Sequence, residues 1–204
     1  SKALQEKDIL LREIHHRVKN NLQMISALLY LHGKSLDDTP AQAALMESQN
    51  RVQSMAIIHQ NLYQQENLLG VGVQEYLDKL IHHLIDSYNI EKDRIEIYKR
   101  IEIQHLDVDT VIPLALIINE LISNALKYAF RDGRKGVIHV NIEMVDGLIK
   151  LEVKDNGIGF PETNAGGGNF GFKLIHILSE RLGATLNINS DKGTSVTLLV
   201  PQIK

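Results

Sequence analysis

Apolar residues recur every seven positions at the start of the chain, at Leu4, Leu11, Val18 and Ile25, with Ile14 and Leu28 in the complementary register. That spacing predicts a helix with a stripe of coiled-coil type running to about Leu31. The segment HGKSLDDTP breaks it, with Gly33 as the expected stop. Thr39 then supplies an N-cap and Pro40 a first helical position for a second helix. Its stripe runs through Leu45, Val52, Met55, Ile58 and Leu62. Residues 1–66 therefore read as a helical hairpin. Two helices with one apolar face each cannot enclose a core. A second copy completing a four-helix bundle is expected, or packing against the rest of the chain.

After QQENLLGVG the pattern changes. Residues 73–88 are amphipathic at helical spacing, and RIEIYKRIEI at 94–103 alternates like a strand. Residues 110–129 are long, apolar and helical. Two alternating runs, 137–144 and 148–154, flank Asp146–Gly147, a signal for a type I′ hairpin. A glycine-rich loop, a helix over about 171–182 and strands near 185–189 and 195–200 complete the chain. The fold class expected is α+β: the hairpin, then a two-layer α/β sandwich over 67–204.

Composition narrows the functional classes. A formal net charge of −3 gives no electrostatic case for nucleic acid or an anionic membrane. The absence of cysteine excludes disulfides and cysteine-based metal sites or nucleophiles, and fits a reducing, cytoplasmic setting. The opening SKALQEKDILL reads as the middle of a helix, so an upstream sensor domain, with or without membrane spans, is expected beyond it.

Four short stretches carry candidate chemistry. In NELISNALKYAF, residues 119–130, α-helical spacing puts Glu120, Asn124, Lys127 and Tyr128 on one face of an otherwise apolar helix. An amide or carboxylate oxygen suits Mg²⁺, and a lysine suits phosphate. Taken alone, such a stripe reads better as a solvated helix face. In DNGIGF, residues 155–160, a strand ends on Asp155, able to accept from an exocyclic amine. The chain then bends at Gly157 and Gly159, where glycine allows positive φ and close approach of a ligand. AGGGNFGFKLI leads a glycine run into a helix N-terminus, and DKGTSV places Gly193 and Thr194 in a turn before the last strand. No P-loop and no dinucleotide-binding strand–GxGxxG–helix unit is present.

In this order the stretches resemble the sensor histidine kinases, with the ATP-binding domain they share with Hsp90-type and MutL-type ATPases. NELISNALKYAF resembles the N box, and DNGIGF, GGGNFGF and KGT resemble three glycine boxes. The resemblance implies ATP and Mg²⁺ as ligands. It gives Asn124 the metal, Lys127 and Tyr128 the phosphates, Glu120 the reacting γ-phosphate and Asp155 the adenine amine. Thr194 would lie beside Asp155. Gly157 and Gly159 would shape the pocket, and Gly168 and Gly171 would let lid and helix reach the phosphates. Phe170 and Phe172 flank Gly171 where relatives often carry a small polar residue and Leu, so an aromatic wedge in the lid is expected. Lacking tryptophan, the chain does not carry the Trp-x-Glu feature of the HWE subgroup.

HRVKN, residues 16–20, resembles the phosphoacceptor box of the HRxxN branch, and EIHHRVKNNLQ offers two adjacent histidines for it. With Leu11 and Val18 at a, Ile14 is d, His15 is e and His16 is f. His16 then points away from the seam and is the expected acceptor; His15 flanks the seam. Asn20 follows one turn after His16 on the same face. Neutral imidazole is an adequate nucleophile near neutral pH, and phosphoryl transfer needs positioning and charge neutralisation above all. The resemblance implies a dimer through residues 1–66, the dimerisation and phosphotransfer domain, and a response-regulator receiver domain as partner. Two other classes share the pocket. A conformational ATPase of the Hsp90 or MutL sort, or a serine kinase, would lack the HRxxN hairpin. A degenerate scaffold would not keep Glu120, Asn124, Lys127 and Asp155.

Overall fold

The computed structural model describes residues 2–64, 71–88, 94–131, 133–159 and 170–202. The chain divides into two units, Ser1–Leu68 and Leu69–Lys204; the expected boundary at 66/67 lies outside the described residues.

The first unit is a hairpin of α1 (Lys2–Lys34) and α2 (Thr39–Gln64). Gly33 does not stop α1. The helix runs through it, and the buried glycine faces α2, where a Cβ would stand in ordinary contact, 3.8 Å, with that of Leu45. After Lys34 the turn is closed by the Ser35 N–H and hydroxyl, both donating to the His32 carbonyl. Thr39 is already helical and Asp38 precedes the helix, its carbonyl accepting the Gln42 N–H at 2.9 Å. The start thus falls one residue before the expected cap, within the usual latitude of helix ends.

The shielded line of α1 runs through Val18, Leu22, Ser26, Leu29 and Gly33. The expected seam is turned further round. Ile14, Ile25 and Leu28 are exposed, as are Met24 and Leu31 beside them. A heptad records that a face is apolar, not which neighbour covers it.

In the second unit, β1 (Val71–Gly72) and β3 (His105–Leu106) form a small antiparallel ribbon around α3 (Val73–Ser87). The main sheet has the order β2 (Ile95–Ile101), β4 (Gly136–Val145), β5 (Leu148–Asp155), β7 (Ser195–Pro201), β6 (Thr185–Asn189). β2 pairs parallel with β4; every other pairing is antiparallel. Asp146 and Gly147, at φ 50° and 77°, make the two-residue turn between β4 and β5 with the positive φ values of type I′. One face of the sheet is apolar in register. Val140, Val153 and Val196 form one row, and Ile142, Leu151 and Leu198 the next. Helices α3, α4 (Val108–Asn124) and α5 (Phe170–Arg181) bury their apolar sides, while the opposite face of the sheet carries His139, Glu152 and Lys154. This is the two-layer α/β sandwich expected.

Asp107 caps α4, its carboxylate accepting the Thr110 N–H at 2.8 Å. The segment Val108–Ala129 is long and apolar enough to cross a bilayer, but most of it is buried within this unit as its central helix.

Candidate functional site

The site starts from the pleat of β5. Ile149, Leu151, Val153 and Asp155 occupy successive buried positions, so a carboxylate stands where a fourth apolar side chain would be expected. Asp155 is only 5% exposed. Its Oδ1 accepts from the N–H of Gly157 at 2.8 Å and of Thr194 at 3.2 Å. Its own N–H donates to the Thr194 carbonyl at 2.8 Å. Such bonds make a buried carboxylate tolerable. Both fall on Oδ1, and Oδ2 receives none among the described residues.

The glycines differ in their reasons. Gly193, at φ 84°, allows the close approach: a Cβ there would lie 2.1 Å from the Asp155 carbonyl oxygen. Gly159 has the positive φ expected of it, 69°, against the Ser190 carbonyl. Gly157 does not. It lies outside the positive-φ set, and a Cβ there would meet the Cβ of Ala129 at 2.4 Å and its carbonyl oxygen at 2.5 Å. Its bare Cα is the seat for the end of the α4 segment, which corrects the expectation of backbone freedom. Asn156 pins the bend to β4: its side chain accepts the Val137 N–H at 2.8 Å, and its N–H donates to the Val137 carbonyl at 3.2 Å.

On α4, Glu120 and Asn124 stand one turn apart. Glu120 is 2% exposed, with buried Asn119 beside it donating from Nδ2 to Oε1 at 3.4 Å. This is no solvated face. The Asn124 Nδ2 is buried and has no hydrogen-bond partner among the described residues. An unsatisfied buried amide costs free energy, so the position suits a polar ligand. Its oxygen and nitrogen exchange by a flip, so either can be presented.

The α spacing ends at Asn124, because Ala125–Ala129 form a π turn. Lys127 and Tyr128 therefore do not continue the stripe of Glu120 and Asn124, which corrects the single-face reading. One extra residue in the turn rotates everything after it. The Lys127 ammonium lies 5.8 Å from the centre of the Tyr88 ring. Tyr128 is exposed, with the Arg131 guanidinium 5.8 Å from its ring centre. The Ala129 carbonyl accepts the Ile158 N–H at 3.1 Å and that of Phe130 accepts from Arg94 at 2.8 Å. The Phe130 ring fills the space left by Gly136. N box, first glycine box and third glycine box are thus joined directly, through Ala129–Ile158 and Asp155–Thr194.

Of the second glycine box, Gly168 lies outside the described residues, and Gly171 is buried in the first turn of α5. Phe172 is buried as part of the core and not a wedge in a lid, while Phe170 is exposed. On the hairpin, His16 and Asn20 are both exposed, and Arg17 pairs with Glu13 at 2.8 Å. The His15 side chain lies outside the described residues. Sequence reasoning passed over Asn119, Asn156, Arg94 and Tyr88. Asn156, in the D-N-G turn, gave a local signal; Asn119 acts on its neighbour Glu120, while Arg94 and Tyr88 act through partners distant along the chain.

The donor set fits the ligands implied. No group of three or more His, Cys, Asp or Glu side chains able to hold a metal occurs among the described residues. A Mg²⁺ ion that keeps phosphate oxygens and waters needs little beyond one amide oxygen from the protein, which Asn124 can give.

Both parts of the chain resemble known proteins. A family model described as histidine kinase matches residues 13–88. One described as histidine kinase-, DNA gyrase B- and HSP90-like ATPase matches residues 109–204. The sensor histidine kinase PdtaS of Mycobacterium tuberculosis is 32% identical over 206 residues, covering 98% of this chain; the chain spans 41% of that relative's length. Blue-light-activated histidine kinase 2 of Erythrobacter litoralis is 28% identical over 215 residues, covering 96% of this chain and 58% of the relative. The solved structure of the E. litoralis EL346 blue-light-activated histidine kinase has the same fold, with TM-score 0.72 at 24% identity over 94% of this chain and 58% of that one. The exposed HRxxN helix and the ATPase sandwich thus meet in one assignment: the chain belongs to the histidine kinase family, with an ATPase domain of the HSP90-like kind.

Proposed function

We propose that this protein is an ATP-dependent histidine autokinase that phosphorylates His16 and passes the phosphoryl group to an aspartate on a response-regulator receiver domain. The observation that carries the reading is Asp155. It is a buried carboxylate with Oδ1 held by two backbone N–H groups and Oδ2 open, able to accept from an adenine amine. Beside this stands an exposed histidine in an HRxxN helix, which an Hsp90-type ATPase would not carry.

Each residue has a task within this reading. Asp155 selects adenine, with Thr194 bonded against it. Gly159 and Gly193 keep the pocket floor close, and Gly157 ties that floor to the N box. Asn124 would hold Mg²⁺, which neutralises phosphate charge when bound. Lys127 and Tyr128 attend the phosphates, and Gly168 and Gly171 let lid and helix reach them. Glu120, dry and braced by Asn119, takes or polarises the proton of the attacking imidazole. A nitrogen of His16 forms the bond to the γ-phosphorus, the bond to the β–γ bridging oxygen breaks, and ADP leaves. Asn20 orients a water toward the regulator's aspartyl phosphate and takes no part in the first transfer.

The exposed stripe of Ile14, Met24, Ile25, Leu28 and Leu31 suits a second copy of this chain, closing a four-helix bundle. The units described belong to a cytoplasmic kinase core, with the input signal received by a sensor domain elsewhere in the protein. Incubation with γ-labelled ATP tests the activity. A phosphohistidine is labile in acid and stable in base. Label stable in acid would favour a serine kinase, and ATP hydrolysis without label a conformational ATPase.

A further inference from the structure

Lys127 is the cation that the proposed function sets at the phosphates, yet no motif states what aims it. The π turn takes it off the line of Glu120 and Asn124 and puts its ammonium 5.8 Å from the centre of the Tyr88 ring. Both sides of this contact are anchored. Tyr88 is the C-cap of α3, its N–H donating to the Leu84 carbonyl at 3.2 Å. The far end of the π turn is held by Ile158 and Arg94 on the carbonyls of Ala129 and Phe130. An aromatic face attracts an ammonium without neutralising it. Holding a long side chain in place beforehand also lowers the ordering cost of binding.

We propose that Tyr88 is a positioning residue for nucleotide binding, holding the Lys127 ammonium in the pose that meets the polyphosphate through its ring face rather than its hydroxyl. The proposal rests on the reading of Lys127 as a phosphate contact. The test is a double-mutant cycle on the full chain, with Kd measured for ATP and for adenosine. Tyr88→Leu should raise the Kd for ATP about two- to five-fold and leave adenosine unchanged. Tyr88→Phe should bind ATP as the parent does. Replacing Tyr88 by pentafluorophenylalanine keeps the ring's shape while depleting its π face. It should weaken ATP binding as Tyr88→Leu does, and it serves if the leucine variant folds poorly. In a Lys127→Ala background none of these changes should matter further. Equal losses for ATP and adenosine would overturn the proposal, as would an undiminished effect without Lys127 or a loss in Tyr88→Phe matching that in Tyr88→Leu. If Lys127→Ala alone binds ATP like the parent, the reading of Lys127 falls and this proposal with it.

Discussion

Replacing Gly157 by alanine should damage the second unit through sterics alone. The residue lies outside the positive-φ set, so an L side chain meets no backbone strain there. What it meets is Ala129: the new methyl would fall 2.4 Å from its Cβ, 2.5 Å from its carbonyl oxygen and 2.8 Å from its Cα. Two of those atoms are backbone, so no side-chain rotation relieves the overlap. Overpacking of this kind costs about 1–3 kcal/mol. Moving the loop away also strains the bond from the Ile158 N–H to the Ala129 carbonyl, worth about 1 kcal/mol. The sum is about 2–4 kcal/mol, or a urea midpoint lower by about 1–2 M at a slope near 2 kcal/mol/M. Nucleotide affinity should fall too, because the displaced loop carries an N–H donor to Asp155. Gly147→Ala is the control. At φ 77° with nothing within 4 Å of its Cβ, it should cost about 1–2 kcal/mol and leave ATP binding unchanged. The assay is urea unfolding followed by ATP titration of each folded variant. A Gly157→Ala protein within about 0.5 kcal/mol of the parent, with full ATP affinity, would refute the coupling of N box and first glycine box.

Asn124→Asp should depress phosphoryl transfer more than nucleotide affinity, whereas Asp155→Asn should lower affinity and weaken discrimination against GTP; equal affinity losses in the two variants would count against this division of labour. Asn20→Ala should spare autophosphorylation and slow decay of a phosphorylated regulator in ADP and Mg²⁺, with identical decay rates leaving Asn20 as surface. Burial lowers the pKa of His83, opposed by the Asp86 carboxylate, so the unfolded chain takes up its proton first as pH falls through about 6.5. Stability should therefore drop below that pH toward the lower folded value. His83→Gln should shrink the drop in urea midpoint between neutral and mildly acidic pH, and an unchanged drop would assign it to other groups.

Local signals in the sequence were reliable where local physics decides. Asp146–Gly147 fixed its turn because few residue pairs tolerate two positive φ values, and the period-two runs on either side became β4 and β5 in register. Alternation even carried the site: the acid closing Ile149, Leu151 and Val153 is buried because its strand position faces the core. What stayed hidden depends on distant partners. The end of the π turn is tied to Arg94 and Ile158, and neither lies within a helix window around Ala125. Gly157 is a glycine because of Ala129. The heptad of α1 named an apolar face while leaving open which helix would cover it. Parallel pairing of β2 with β4 was equally out of reach, since each strand alternates alike in either direction.

The central claim is that His16 receives the γ-phosphoryl group of ATP held in the Asp155 pocket, and the most direct measurement is labelling of paired variants. His16→Gln, His15→Gln and the parent would be incubated with γ-labelled ATP and Mg²⁺, the label counted after base treatment, and ATP binding titrated in parallel. The account predicts no label on His16→Gln with ATP affinity within a few fold of the parent, because the nucleotide residues all belong to the other unit. It predicts measurable, acid-labile label on His15→Gln. Label persisting on His16→Gln while His15→Gln is silent would contradict the account.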